Sequence, residues 1–198
     1  MKQFPGDESE LADLVARARA GDVAAFEALY HGHQAGIYTY IRSQVREAEL
    51  AADLTQQTFV RAWQSLKRLR AEGAFRGWLH RIAANLVRDE VKSGRARLEI
   101  TASAFPEDPL IAPDPGPDPE QIALDGELRT AVRAALDTLS PEQRAAVVMH
   151  HLEGMPVHEI ARAQGVRPGT VMSRLARARA ALRTQLSSYV EASDDAMQ

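Results

Sequence analysis

Apolar residues recur along this chain three and four positions apart, the period of a helix with one buried face, and no stretch alternates as a strand would. Leu11, Leu14, Val15 and Ala18 predict a short helix ending near Gly21. Asp22 is placed to cap a second, whose apolar face runs Phe26, Leu29, Tyr30, Ile37, Ile41 and Val45. Gly32 and Gly36 weaken that helix by about 1 kcal/mol each relative to alanine. A third helix is expected to bury Leu54, Thr58, Phe59, Ala62, Trp63 and Leu66. A fourth spans about Phe75 to Lys92, with Trp78, Leu79, Ile82, Ala83, Leu86 and Val87 as its stripe.

Further along, Leu124, Leu128, Val132, Ala135 and Leu136 mark another helix. Ser140-Pro141-Glu142-Gln143 then supplies an N-cap, a proline at the first helical position and a capping-box glutamine. The helix it starts is expected to run to Glu153 and stop at Gly154. Pro156 opens a short helix that Gly165 ends, and Pro168 starts a longer one. Short helix, glycine turn, longer helix is the helix-turn-helix pattern. Ala161 is small where the two helices approach, and Ile160, Val171 and Leu175 are placed to pack between them. Val171, Leu175, Ala178, Leu182 and Leu186 form the buried stripe of the longer helix, so Met172, Ser173, Ala176, Arg177 and Ala180 face outward.

Between these helical halves lies "TASAFPEDPLIAPDPGPDPEQIALDGE", which holds six of the ten prolines. Proline removes backbone donors and pushes its predecessor out of the helical region, so the stretch reads as an extended, solvated linker. A surface loop of a single domain is the plainer alternative. The fold class expected is therefore all-α. Two small helical domains, 10–98 and 124–186, are joined by a proline-rich acidic linker at 99–123 and followed by an acidic tail at 187–198.

Charge sharpens the picture. The net formal charge is −3, yet residues 75–98 carry six basic and two acidic side chains, and residues 128–186 carry nine and four. Residues 99–127 hold eight acids and no base. Two candidate polyanion-binding surfaces are thus hidden in a near-neutral sum. From Arg162 to Arg183 there are six arginines and no acid. A packing helix with a solvated face would mix in glutamates as i,i+4 partners, so this run reads as a nucleic-acid-binding helix. Cysteine is absent, which excludes disulfides and thiolate metal sites and fits a reducing compartment. The N-terminus lacks the apolar core of a signal peptide, and no segment has eighteen consecutive apolar residues. The expectation is a cytoplasmic protein without membrane insertion.

"LSPEQRAAVVMHHLEGMPVHEIARAQGVRPGTVMSRLARARAALR" resembles the fourth conserved region of bacterial RNA polymerase sigma factors of the extracytoplasmic-function (ECF) branch. "AADLTQQTFVRAWQSL" and "FRGWLHRIAANLVRDEVKSGRAR" resemble that family's second region. The resemblance implies that 10–98 binds core RNA polymerase and recognises and melts the −10 promoter element, while 124–186 reads the −35 element. It implies a polymerase-docking face at Asp53, Gln56, Gln57 and Val60, opposite the Leu54/Phe59/Trp63 stripe. It places the −10 contacts on the loop Lys67 to Ala74 and the helix after it, with Arg76, Trp78, Arg81, Asn85, Arg88, Lys92 and Arg95 as candidates. Melting needs flipped bases held or stacked and cations along the backbone. Trp78 fits either stacking or core packing. The −35 candidates are Arg167, Thr170, Met172, Ser173, Arg174, Ala176 and Arg177. Gln57 stands where the family usually has glutamate, Met172 where it has lysine or arginine, and Arg167-Pro168 where it has a serine cap. Ser173, Arg174 and Arg177 keep the pattern. Family members of this size are commonly held by an anti-sigma factor, which makes one an expected partner beside core polymerase and promoter DNA.

Two rival readings frame the test. A helix-turn-helix regulator acting apart from polymerase explains 124–186 equally well, but leaves the Asp53 helix and the basic Trp78 helix without a role. A metal-dependent enzyme would draw on His150, His151, His158, Glu153 and Glu159, but adjacent histidines point about 100° apart on a helix and no HExxH spacing occurs. No enzymatic activity, metal or cofactor is expected.

Overall fold

The structure, a computed structural model, describes residues 8–45, 47–69, 71–93 and 130–187, and among them all regular structure is helical. In the first half come α1 (Glu8–Arg19), α2 (Val23–Arg42), α3 (Ala48–Ser65) and α4 (Phe75–Lys92). Two 3-10 turns, Leu66–Arg68 and Glu72–Ala74, stand between α3 and α4. The second half holds α5 (130–137), α6 (Pro141–Val147), a π turn (Val148–Leu152), α7 (Val157–Gln164) and α8 (Pro168–Gln185).

Local chemistry explains most of these boundaries. Asp22 Oδ1 accepts from the Ala25 amide at 3.1 Å, and Arg17 Nη2 donates to the other oxygen at 2.7 Å, so the α1–α2 turn is fastened on both sides. Ser140 and Gln143 form the reciprocal capping box ahead of α6, with Pro141 in the first turn. Gly165 ends α7 at φ +67°, in the left-handed region, and lets the chain reverse into α8. The expected single helix from Ser140 to Glu153 instead changes to a π turn at Val148. There the Glu153 amide donates to the Val148 carbonyl at 3.2 Å, five residues back.

Val15, Leu29, Ile37, Ile41, Leu54, Leu66, Phe75 and Leu79 are buried in the first half, and Val148, Met149, Met155, Ile160 and Val171 in the second. The two sets join into one continuous core. The seam between the halves runs along α4 and α7. A Cβ on Gly77 would stand 3.1 Å from the Glu159 carbonyl oxygen, so the two helices meet backbone to backbone. A Cβ on Gly36 would meet Glu153 Oε2 at 3.0 Å, which gives that helix-weakening glycine a packing reason. Arg144 Nη1 crosses the same seam to the Ser43 carbonyl at 3.0 Å. Trp63 departs from the expected stripe. It is 39% exposed, because it follows buried Phe59 by four positions and exposed Val60 by three and so lies at the edge of the apolar arc. Leu124, Leu128, the linker at 99–123 and all of the tail beyond Ser187 lie outside the described residues.

His33 is half-buried, with Nε2 shielded from solvent and its ring packed on Phe75, centroids 5.4 Å apart. Burial, and then the charges of Arg76 and His80, push its pKa from 6.5 down to about 3. The unfolded chain therefore takes up this proton first as pH falls. The stability it withdraws is nil well above pH 6.5 and grows down to about pH 3. Between pH 7 and pH 5 a His33→Leu variant should lose about 2 kcal/mol less stability than the wild type in urea melts. Equal losses in the two proteins would contradict a buried neutral imidazole. Gly165→Ala should destabilise by about 1–2 kcal/mol through its left-handed backbone. Gly169→Ala, in the first turn of α8 with open space around it, should stabilise by about 0.5–1 kcal/mol. Denaturation midpoints moving in the same direction would refute this pair.

Candidate functional site

Three surfaces carry the candidate residues. The first lies on α2 and α3. Asp53, Gln56, Gln57 and Val60 are all exposed. Val60 is 55% exposed despite its apolar side chain, and Val23 is 66% exposed across from it. They border an apolar groove of about 490 Å³ lined by Phe26, Tyr30, Phe59 and Trp63, with Gln56 and Gln64 at the rim. Phe26 packs tilted on Trp63 and Tyr30 edge-on to Phe59, ring centroids 4.8 Å apart in each pair, which gives the groove a stiff aromatic floor. The groove was missed in the sequence because α2 and α3 contribute separate halves of it. Contiguous exposed apolar surface of this kind marks a binding site more often than a lapse in packing.

The second surface is α4. Arg81, Asn85, Arg88 and Lys92 are exposed at i, i+4, i+7 and i+11, and so line up in one stripe. Arg88 Nη1 donates to Asn85 Oδ1 at 2.8 Å, which fixes the amide with its NH₂ outward. Trp78 is half-buried at the edge of the stripe, packed on Phe75 at 6.0 Å. Arg76 stands apart from the stripe, half-buried and close enough to His33 to disfavour its imidazolium. The Lys67 to Ala74 connection is formed by the two 3-10 turns, with Arg70 outside the described residues. Arg95 also lies outside them.

The third surface is α8. Its buried side is Val171, Leu175 and Ala178 against α6 and α7, while Leu182 and Leu186 are half-buried. Arg167, Thr170, Met172, Ser173, Ala176 and Arg177 are exposed, Met172 by 61%. Ser173 Oγ donates to the Gly169 carbonyl at 3.0 Å and keeps its lone pairs for an outside donor. Arg174 differs from its neighbours. It is half-buried, and its Nη1 donates to Gln164 Oε1 on α7. Gln164 Nε2 in turn donates to the Glu142 carbonyl at 3.4 Å, so one chain of hydrogen bonds ties α6, α7 and α8. Nothing in the sequence spacing pointed to this partner.

Among the described residues no group of histidine, cysteine, aspartate or glutamate is arranged to hold a metal ion. His150 instead donates from Nδ1 to the Met155 carbonyl at 3.0 Å and lies edge-on to His151. No helix of the described residues is long and apolar enough to cross a membrane.

Comparison with known proteins places the chain in a family. Residues 29–97 match the family model Sigma-70 region 2, and residues 129–182 match Sigma-70, region 4. The chain is 42% identical over 173 residues to the ECF RNA polymerase sigma factor SigE of Mycolicibacterium smegmatis, covering 85% of this chain and 65% of SigE. It is 37% identical over 175 residues to the ECF RNA polymerase sigma factor SigM of Mycobacterium tuberculosis, covering 88% of this chain and 84% of SigM. Among solved structures it is similar to the sigma factor RpoE in complex with the anti-sigma factor NepR from Bartonella quintana. The TM-score there is 0.62 at 25% identity, over 83% of this chain and 98% of that one.

Because Val60 is exposed and Phe59 is buried, a charge at the two positions should act very unequally on folding. Val60→Asp should shift stability by no more than about 0.5 kcal/mol. Phe59→Asp should abolish the cooperative melt, since it places a carboxylate in the core. A Val60→Asp protein that fails to fold would mean the groove belongs to the core.

Proposed function

Because the chain belongs to the ECF family of RNA polymerase sigma factors, we propose that it binds core RNA polymerase and directs promoter-specific transcription initiation. The observation that carries this reading is that a single chain presents an apolar groove on α2 and α3 together with two separate basic helices, α4 and α8. A regulator acting apart from polymerase needs only the last of these.

Each surface has a task that its chemistry suits. Residues 10–98 form the polymerase-binding and −10-recognising module, and 124–186 the −35-recognising module. The groove takes an apolar ridge of polymerase, with Asp53, Gln56 and Gln57 hydrogen-bonding at its rim and Val60 packing inside it. Burial of its aromatic floor supplies affinity, and the polar rim sets register. On α4, Arg81, Arg88 and Lys92 neutralise the backbone of the melted −10 strand. Asn85, held by Arg88, offers its NH₂ to a flipped base, and Trp78 offers an edge for stacking. Arg76 and Arg95 complete the candidate set.

Helix α8 enters the major groove with its N-terminal half at base edges. Arg167 and Thr170 approach the backbone there. Arg177 shares an outward face with Ser173 and reaches a base edge. Arg174, braced by Gln164, presents its remaining N–H groups to phosphate. Met172 and Ala176 bring apolar contact, which suits a thymine methyl rather than guanine. The protein acts in the cytoplasm, without a cofactor and without catalysis of its own. An anti-sigma factor is the partner that holds it when it is idle.

Val60→Asp, or Asp53→Ala with Gln56→Ala, should weaken binding to core polymerase at least tenfold in a titration while the fold is unchanged. Arg177→Ala should weaken −35 binding by about 1–3 kcal/mol, lower transcription at matched promoters accordingly and relax preference at one −35 position. Arg174→Ala should weaken all promoters alike and reduce the salt slope by about one unit. Undiminished polymerase binding by both docking variants would overturn the groove assignment. Equal loss across every −35 variant for Arg177→Ala would overturn the base-reading one.

A further inference from the structure

The seam between the two halves holds a buried ion pair that promoter recognition does not use. His80 on α4 is 3% exposed, and its Nε2 lies 2.8 Å from Glu153 Oε2, which comes from the turn after α6. The glutamate reaches into a notch on the first module. Gly36 forms one wall, where a Cβ would stand 3.0 Å from Oε2, and Tyr40 lies edge-on to the His80 ring at 5.5 Å. On its other side His80 Nδ1 is 3.0 Å from the Arg76 carbonyl oxygen. A backbone carbonyl on one side and a carboxylate on the other favour hydrogen on both ring nitrogens. The ring that satisfies this geometry is the imidazolium.

We propose that Glu153 and His80 form a proton-gated latch, which docks the second module on the first while His80 is protonated and loosens when the proton leaves. The charged and titratable groups facing His80 are His33 and Tyr40 from α2, Arg76 from its own helix, Glu153 from the turn and Glu159 from α7. Arg88 acts more remotely, on Tyr40. Burial disfavours the charged ring. Glu153, through its charge and its hydrogen bond, then the Arg76 carbonyl and the charge of Glu159, outweigh that and hold the pKa above the ordinary 6.5. His33 stays neutral beside it and adds no opposing charge until pH falls to about 3.

The sign follows from linkage. An undocked, solvated His80 releases its proton near 6.5, whereas the docked one keeps it to higher pH. The latch therefore acts in full below about 6.5 and is lost as pH rises through the raised value. Docking also covers Gly77, one turn before Arg81, with the backbone of α7. On the reading given under Proposed function, α4 and α8 address elements about 25 base pairs apart, roughly 85 Å at 3.4 Å per pair. In the docked state α7 touches both α4 and α8, and two helix spacings amount to only about 20 Å. The latch must then open before both elements are engaged.

The chain has no cysteine, so Ala28→Cys and Thr184→Cys, both on exposed positions, give a doubly labelled protein for distance measurement between the modules. This readout needs neither polymerase nor DNA, so it stands or falls apart from the proposed function. The short-distance population should dominate at pH 6 and decline toward pH 9. Glu153→Gln should reduce that population several-fold at pH 6 and flatten the pH response. Gly77→Leu, which wedges α7 away from α4 and alters neither charge, should open the molecule at every pH. Far-UV circular dichroism of each variant checks the helices. Direct ¹⁵N NMR titration of His80 in the unlabelled, unsubstituted chain gives a second measure, with a pKa above 6.5 expected. A Glu153→Gln protein with the wild-type distances and pH response, or a His80 that titrates below 6.5, would overturn the latch.

Discussion

A backbone carbonyl, that of Glu159, lies 3.1 Å from the point where Gly77 would carry a Cβ, and the arrangement of the two halves depends on that approach. Only glycine on α4 lets α7 come so near. Once it does, Glu153 is carried into the notch beside Gly36 and His80, and Arg144 meets the end of α2 at Ser43. Removing two charges from water is expensive, and attraction offsets that only when the geometry is good and the remaining polar atoms are partnered. Here the Arg76 carbonyl accepts a hydrogen bond from the other ring nitrogen, so the ion pair favours one docked geometry over its neighbours. The seam combines a steric requirement at Gly77 with an electrostatic one at His80.

The surfaces left outside the seam are those with chemistry for partners. The groove on α2 and α3 is apolar where a helix pair ordinarily finishes in polar side chains. The stripe on α4 and the exposed face of α8 are cationic or neutral, with Asp89 the acid beside the first. Their supports differ. Asn85 and Arg88 hold one another within a single helix, whereas Arg174 is held across the helix-turn-helix by Gln164. A side chain braced in this way loses less conformational freedom when it binds, which favours affinity at no cost to the free protein's solubility.

Features set by local chemistry were legible in the sequence. Asp22, Ser140 with Gln143, Gly165 and Pro168 each act within a few residues, and all stand where their side chains or backbone preferences place them. The exposure of most candidate residues on α3, α4 and α8 was legible too, because helical period assigns an angle to each position. Depth and partnership were not. Trp63 sits at the edge of an apolar arc, where angle alone does not separate core from groove. The π turn was hidden because Val148–Leu152 lacks any breaker before Gly154. Gly36 looked like a weak point of its helix, and Gly77 carried no signal at all, until the opposite module supplied Glu153 and Glu159. Contacts between residues so far apart in the chain leave no periodic trace.

The central claim is that promoter choice arises only when this chain and core polymerase act together. In-vitro transcription with purified core polymerase on a genomic promoter library tests it most directly. Addition of the protein should yield transcripts from a restricted set of start sites sharing upstream −35 and −10 sequences, and neither component alone should do so. Tight, specific binding of the free protein to duplex promoters, with no transcript added to those of core polymerase, would contradict it.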